Sequence, residues 1–271
     1  MQHEERAFDQ PRSPVRLRLI ALPVEHGGWG LLGAPIVLGL WLAPSLAGIW
    51  LCLAAVGAFL ARQPLKLAVA DYYRGRRYPR TVWAERFVVG YGILILIGLG
   101  LAIYSAAAPF WPPLALAAPA ALVQLIFDLR KQSRELVAEL SGAVAISALA
   151  AAIVMAASWP LSTALLLWLL LAMQAITAII YVRIRLRLAR HEPVRRASAL
   201  LWHSLALTIV GGLLISGAVG WPVVAVFALL MLRCWMGLRP RFLTTPTPLV
   251  GVQEVLFSLI TVVGIGLDMQ F

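Results

Sequence analysis

A few ionisable side chains interrupt the long hydrophobic stretches of this 271-residue sequence, and chemistry is expected at those positions. An ionisable group near the hydrocarbon of a bilayer costs several kcal/mol unless it faces a partner or a water-filled cavity. Only apolar and small residues follow Glu139 as far as Ser158. A carboxylate side chain is too short to be a mere anchor at the headgroups, so we predict that Glu139 points inward. Glu254, after Gly251, allows the same inference, and both are candidate acid–base groups.

Glu25 and His26 open the first hydrophobic stretch, and Gly27, Gly28 and Gly30 follow them. The glycines would let the backbone approach a ligand or a neighbouring helix closely, and a helix start offers free N–H groups. His26 is a third candidate acid–base group, and Glu25 is a candidate substrate-binding residue. The alternative is an interfacial helix cap whose glycines serve packing alone.

Further candidate substrate-binding residues lie near the ends of later hydrophobic stretches. Arg62 and Gln63 come just before Pro64, and Arg62 is either a ligand for an anion or an anchor that reaches the headgroups. Arg183 belongs to an alternating segment with two further arginines, which can also be read as a topogenic signal alone. His203 lies one turn into its stretch, as a substrate-binding candidate or as a packing histidine.

The segment 128–139 carries a mixed set of charges. If it is helical, one face at offsets of 0, 4, 7 and 11 residues presents Asp128, Gln132, Glu135 and Glu139. The other faces then carry Arg130, Lys131 and Arg134.

These residues must be positioned by hydrophobic helices. The composition is 61% hydrophobic and 13% charged, with a mean hydropathy of +0.87, which is typical of a polytopic membrane protein. We predict an all-α bundle of nine transmembrane helices, at 27–43, 46–61, 87–107, 114–127, 140–158, 162–182, 200–219, 222–235 and 249–267. The gap 62–86 is predicted to hold at most a short interfacial helix.

All 23 Lys and Arg residues fall in or at the edge of alternate gaps between these stretches, with Arg233 just inside the end of 222–235. Loops rich in Lys and Arg stay cytoplasmic, so we predict a multi-pass protein of the cell (inner or plasma) membrane with its N-terminus inside and its C-terminus outside. Residues 1–26 are predicted to form a cytoplasmic tail with an interfacial segment, and 27–271 a single transmembrane domain.

The net charge of +11 does not indicate a nucleic-acid partner, because the basic residues flank membrane stretches, where they meet anionic headgroups. Membrane lipids are the expected surroundings. Cys52 and Cys234 lie inside apolar stretches in opposite halves without Cys or His at ligand spacing, which argues against a disulfide or a zinc site.

The sequence resembles the YwiC-like family of bacterial membrane proteins along most of its length. The resemblance rests on Glu25-His-Gly-Gly-Trp29, Arg62-Gln-Pro-Leu65, Arg134-Glu135 through Glu139-Leu-Ser-Gly142, Tyr181-Val-Arg183 with His203, and Pro248-Leu-Val-Gly-Val-Gln-Glu254. The layout is also similar to the UbiA-type intramembrane prenyltransferases, which have nine helices and polar motifs on cytoplasmic loops. By that resemblance, Arg130 and Lys131 match a link that contacts a diphosphate.

The sequence departs from the UbiA pattern where metal would bind. Those enzymes hold Mg²⁺ with Asp-rich motifs after helices two and six, and carboxylate oxygens suit that cation. In this sequence, the segment after the second hydrophobic stretch keeps Asp71, and the segment after the sixth stretch has Arg183, Arg185 and Arg187 where acidic residues would be expected. Guanidinium groups bind phosphate directly, so we predict no metal site and no cofactor, with dependence on Mg²⁺ in doubt.

Two classes of function remain open from the sequence. The first is a UbiA-like, prenyltransferase-like enzyme or relative that binds an isoprenoid or other anionic amphiphile in a cytoplasm-facing cavity. The second is a non-catalytic transporter, binding or accessory protein that uses inward carboxylates and arginines. The sequence predicts neither the substrate nor the oligomeric state.

Overall fold

The computed structural model describes residues 16–23 and 26–270, and these residues form ten α-helices and one 3₁₀ turn without a β-strand. The side chain of His26 is outside the description. The helices are α1 (Leu17–Ala21), α2 (His26–Leu42), α3 (Leu46–Tyr73), α4 (Pro79–Ser105), α5 (Trp111–Leu129), α6 (Leu136–Ala156), α7 (Leu161–Ala189), α8 (Arg196–Ile215), α9 (Trp221–Gly237) and α10 (Thr247–Asp268), with the 3₁₀ turn at Pro240–Phe242.

Seven of the described helices, α3 to α8 and α10, are long and apolar enough to cross a membrane. The prediction of an all-α, multi-pass membrane protein is therefore confirmed. Helices α2 and α9 are apolar but have 17 residues each, short of the roughly 20 that a straight span needs. Each predicted hydrophobic stretch overlaps one of the helices α2 to α10.

Helix α6 is the centre of the bundle, with α5, α7, α2 and α3 packed around it. Its second half is almost entirely buried, and five of the ten residues 147–156 are alanine. Small residues let membrane helices approach closely. Ile153 of α6 fits between Gly39 of α2 and Gly48 of α3, where an added Cβ would come within 3.0 Å of its side chain. This packing fixes the three helices relative to one another.

The predicted boundaries of the second and third spans are wrong. Helix α3 continues from Ala61 to Tyr73 with Pro64 inside it, and α4 begins at Pro79, so residues 74–78 alone separate the two helices. Proline leaves one carbonyl without its helical partner, but α1 and α4 pack along this part of α3 and hold it in place. Within the extended hairpin, Asp71 of α3 and Arg80 of α4 pair with each other.

The segment 128–139 is not one continuous helix. A continuous helix would be needed to place Asp128, Gln132, Glu135 and Glu139 on one face. Helix α5 ends at Leu129 and α6 begins at Leu136. Residues 130–135 form a turn in which Lys131 adopts a φ of 61°, a left-handed conformation that stops the helix. Asp128 therefore stays with α5, and Glu139 lies in the first turn of α6.

The connections divide the molecule into two ends. We call the end with the turns 74–78, 130–135, 190–195 and 238–246 the basic end. The opposite end carries the connections 43–45, 106–110, 157–160 and 216–220. There the Asp268 carboxylate accepts hydrogen bonds from the Gly220 N–H at the start of α9. A carboxylate at a helix N-terminus is stabilised by the free N–H groups and the helix dipole.

Candidate functional site

At the basic end, acidic side chains within the helices form ion pairs with basic residues. Asp71 pairs with Arg80, Asp128 with Arg62 and Lys66, Glu139 with Arg183, and Glu254 with Arg233. Pairing lowers the cost that each charge would meet alone in surroundings of low dielectric constant. These pairs divide the basic end into separate groups of polar residues.

The first group joins α3 to α5. Arg62 and Lys66 are four residues apart and therefore share one face of α3. Arg62 Nε and Nη2 both lie 2.9 Å from Asp128 Oδ2, and Lys66 Nζ lies 3.0 Å from Oδ1. With its amide oxygen turned to Arg62, Gln124 accepts from Nη2 at 2.8 Å. Two cations thus hold one buried carboxylate.

Arg62 and Lys66 also line a cleft of about 250 Å³ at the basic end. Its other walls are Gln63 on α3, Ser133 and Arg134 in the turn after α5, and the apolar residues Phe59 and Pro23. The cleft brings together three cationic side chains from two parts of the chain beside an apolar surface.

Helix α2 reaches this region through its glycines. A Cβ at Gly28 would lie 2.9 Å from the Phe59 ring, and one at Gly30 would lie 3.5 Å from Val255. Trp29 packs edge-on against Phe59, with ring centroids 5.0 Å apart. The glycines at the start of α2 therefore bring the helix close to both α3 and α10.

The second group links α6 and α7 to the wall of the cleft. Arg183 Nη1 donates to Glu139 Oε2 at 2.8 Å and to the backbone carbonyl of Arg134 at 2.8 Å. Glu139 and Arg183 are each about one-third exposed. Arg183 does not line the cleft, but it fixes the backbone of a residue that does.

The third group is buried between α7, α8, α9 and α10. Arg185 donates to the Tyr181 hydroxyl at 2.8 Å, and Arg233 stacks on the same ring at 4.3 Å. Arg233 Nη1 lies 2.6 Å from Glu254 Oε2. His203 is edge-on to Tyr181, with ring centroids 6.4 Å apart.

The fourth group closes the α3–α4 hairpin. Asp71 is fully buried and accepts from Arg80 Nε at 3.0 Å, Arg80 Nη2 at 2.6 Å and Thr81 Oγ1 at 2.8 Å. Within residues 16–23 and 26–270, no group of three or more His, Cys, Asp or Glu side chains could hold a metal ion.

The structure distributes the residues predicted from the sequence. Arg62 and Gln63 line the cleft, Glu139 and Arg183 pair beside it, and His203 and Glu254 lie in the buried group. Arg130, Lys131 and Glu135 are exposed around the turn after α5 and do not line the cleft. Glu25 and the side chain of His26 lie outside the described residues.

Sequence reasoning missed several residues that the structure brings into these groups. Lys66 had a usable signal, its spacing of four residues from Arg62. Gln124 and Ser133 had none, because Gln124 meets Arg62 through the packing of α5 on α3, and Ser133 reaches the cleft through the turn at 130–135. Arg233 was counted among the basic flanking residues, although it is 8% exposed.

Residues 22–154 match the model of a protein family described as YwiC-like protein. This match confirms the resemblance to the YwiC-like family for those residues. No curated protein and no solved structure matches the chain.

Proposed function

We propose that this chain, with its YwiC-like match over residues 22–154, is a membrane protein that binds the phosphate group of an anionic amphiphile, such as an isoprenoid phosphate, in the cleft between α3 and the turn 130–135. The observation that carries the proposal is the charge of the cleft. Arg62, Lys66 and Arg134 line it, and among the described residues Asp128 is the carboxylate that pairs with Arg62 and Lys66.

The chemistry of these side chains suits a phosphate. Arginine presents planar, paired N–H donors that match phosphate oxygens, and lysine adds a compact positive charge. Phe59 and Pro23 provide an apolar wall on which the first part of a hydrocarbon tail can lie. Three cations and one carboxylate leave the cleft with a net positive charge, which a bound phosphate would balance.

The proposal includes nine membrane crossings. Helices α2 and α9 would each cover about 26 Å at 1.5 Å per residue, and their flanking residues would extend them across the bilayer. With nine crossings, the basic end faces the cytoplasm, the N-terminus is inside and the C-terminus is outside. The cleft would then open toward the cytoplasm, where water-soluble or membrane-bound phosphates are accessible.

The proposed binding uses arginines in place of a metal. The UbiA-type resemblance implies Mg²⁺, but Asp71 is occupied by Arg80 and Thr81, and Asp128 by Arg62 and Lys66. Both carboxylates are thus already paired with basic side chains, which supports direct binding of the phosphate by arginine over binding through Mg²⁺. For prenyl transfer, the charge on a departing diphosphate would have to be balanced by basic side chains.

Arg134 is the residue to change, because it lines the cleft and no described carboxylate pairs with it. We expect Arg134→Gln to weaken binding of farnesyl phosphate and of short-chain phosphatidic acid. Loss of one charge-assisted contact to phosphate costs roughly 1.5 to 3 kcal/mol, or about tenfold to a hundredfold in Kd. Native mass spectrometry of the protein in nanodiscs measures this directly, with farnesol and diacylglycerol as uncharged probes.

Arg130→Gln is the matched control, since it removes the same charge from the same turn outside the cleft. Binding should survive Arg130→Gln and EDTA. Equal losses for Arg130→Gln and Arg134→Gln would mean that the basic end attracts anions without a site. Loss of binding in EDTA would favour a Mg²⁺-dependent prenyltransferase, and transfer of the probe across the bilayer of proteoliposomes would favour the transport class.

A further inference from the structure

The buried group between α7 and α10 is separate from the cleft and contains buried polar atoms that have no hydrogen-bond partner among the described residues. We call Tyr181, Arg185, His203, Arg233 and Glu254, with Gln253 beside them, the C-terminal cluster. Its ionisable side chains are well shielded, with Arg185 4%, Arg233 8% and His203 2% exposed. None of its residues lines the cleft.

The C-terminal cluster carries more positive than negative charge. Guanidinium groups stay protonated when buried, so Arg185 and Arg233 both contribute a full charge. Among the described residues, Glu254 is the carboxylate that contacts either of them, through Arg233. Arg185 is bound by neutral partners, at 2.8 Å by the Tyr181 hydroxyl, at 3.2 Å by Gln253 Oε1 and at 3.0 Å by the Phe242 carbonyl. One positive charge is left without compensation.

Unused hydrogen-bonding atoms show what could supply the missing charge. Arg233 Nε and Nη2 are buried and have no partner among the described residues. The faces of the same guanidinium are covered by Tyr181 at 4.3 Å and Phe257 at 5.0 Å. The positions left for a ligand are therefore the N–H groups in the guanidinium plane, which require an acceptor.

The C-terminal cluster also contains hydrogen-bond acceptors that have no partner in the part of the chain that the structure describes. His203 Nδ1 lies 2.8 Å from the Ala199 carbonyl, a contact that places the proton of the neutral ring on Nδ1. Its Nε2 is then an acceptor, and it has no partner among the described residues. Glu254 Oε1 is also buried and has no hydrogen-bond partner among the described residues. A ligand for this group needs an anionic oxygen for Arg233 and a hydroxyl to donate to Glu254 or His203.

We propose that the C-terminal cluster binds a small, singly charged oxyanion that keeps a hydroxyl group, the class to which dihydrogen phosphate and hydrogen carbonate belong. Such an anion cancels the excess charge, accepts from Arg233 and donates to Glu254 or His203. Formate has the charge but no hydroxyl, and chloride has neither the hydroxyl nor the planar geometry that a guanidinium favours.

The test measures thermal unfolding of the purified full-length protein in detergent, at constant pH and ionic strength. A ligand that binds the folded state alone raises Tm in a saturable way. We expect such a rise with inorganic phosphate and with hydrogen carbonate, and little change with formate or chloride. If formate or chloride raises Tm as much as phosphate does, the proposed hydroxyl-dependent site is wrong. This comparison needs no variant.

Variants then locate the anion. Arg233→Lys keeps the charge beside Glu254 but removes the paired N–H groups, and Arg185→Gln removes the excess charge. Each should weaken the phosphate effect by about tenfold or more in apparent Kd. Arg241→Gln, an exposed arginine on the neighbouring 3₁₀ turn, should leave it unchanged.

The cleft is the competing location for phosphate. If Arg134→Gln abolishes the rise in Tm while Arg233→Lys and Arg185→Gln retain it, phosphate binds in the cleft and the C-terminal cluster is not the anion site. That result would leave the proposed function of the cleft intact, so the two proposals can fail independently.

Discussion

At the scale of single residues, Asp71 has a structural role that its position in the sequence does not reveal. It is fully buried, and Arg80 and Thr81 donate three hydrogen bonds to it. We expect Asp71→Ala to lower the free energy of unfolding by about 2 to 3 kcal/mol, as loss of hydrogen bonds to a charged group implies. Glu85→Ala breaks an exposed pair with Arg77 in the same hairpin and should cost less than about 1 kcal/mol.

Denaturant titration in detergent compares the two variants. Similar losses for both would mean that burial of Asp71 contributes nothing beyond a surface pair. Binding of farnesyl phosphate to folded Asp71→Ala should match that of the wild type, because Asp71 does not line the cleft.

Arg183 tests whether a residue outside the cleft controls it. Its guanidinium holds the Arg134 carbonyl and Glu139 together. We expect Arg183→Gln to weaken farnesyl phosphate binding about threefold to tenfold, near 1 kcal/mol, because Arg134 is less well positioned. Arg187→Gln removes another arginine of α7, breaks its exposed pair with Glu192 in the turn that follows the helix, and should have no effect on Kd. A full loss of binding in Arg183→Gln would instead place Arg183 in contact with the ligand.

At the scale of helices, α3 and α4 approach so closely that one position of α4 accepts glycine alone. An added Cβ at Gly98 would lie 2.8 Å from the Trp50 carbonyl and 2.9 Å from the Ala54 nitrogen, both of them backbone atoms that cannot rotate away. We expect Gly98→Ala to cost roughly 1 to 3 kcal/mol through overpacking. At Gly100, where nothing lies within 4 Å, alanine should be neutral or stabilise by up to about 1 kcal/mol. Thermal unfolding of the two variants gives the comparison, and equal stabilities would contradict the close contact.

The helices were largely predictable from the sequence, whereas their ends were not. Hydropathy located nine apolar stretches because burial in lipid requires an apolar surface along each helix. The ends of α3 and α4 were missed because charged residues were taken as boundaries, although Asp71 and Arg80 neutralise each other across the hairpin. A connection between the fourth and fifth predicted stretches was expected, but the conditional helix over 128–139 was wrong, because Lys131 adopts a left-handed conformation that the sequence does not signal. The ion pairs between helices depend on tertiary contacts, so Glu254 could be selected as an inward carboxylate without its partner Arg233 being known.

At the scale of the whole molecule, the side of the membrane that the basic end faces depends on whether the two 17-residue helices, α2 and α9, cross the bilayer. If α2 and α9 cross the membrane, the residues that flank each of them lie on opposite sides. The described flanking positions Arg16 and Pro44 test α2, and Ser216 and Thr244 test α9, since all four are exposed. With Cys52 and Cys234 replaced by alanine, each position is changed singly to cysteine and treated with a membrane-impermeant maleimide in intact cells.

We expect labelling at Pro44 and Ser216 in intact cells, and labelling at Arg16 and Thr244 only after permeabilisation, because loops rich in Lys and Arg remain inside. Each helix is about 4 Å shorter than a 30 Å hydrocarbon core, a difference that local thinning of the bilayer or extension into the flanks offsets at a cost of fractions of a kcal/mol per Å. Crossing is therefore compatible with their length. If Ser216 and Thr244 react on the same side, α9 does not cross, and the C-terminal cluster would then lie near an interface and not among spanning helices. If Arg16 and Pro44 react on the same side, α2 does not cross the membrane, and the proposed orientation of α3 with a cleft open to the cytoplasm is wrong.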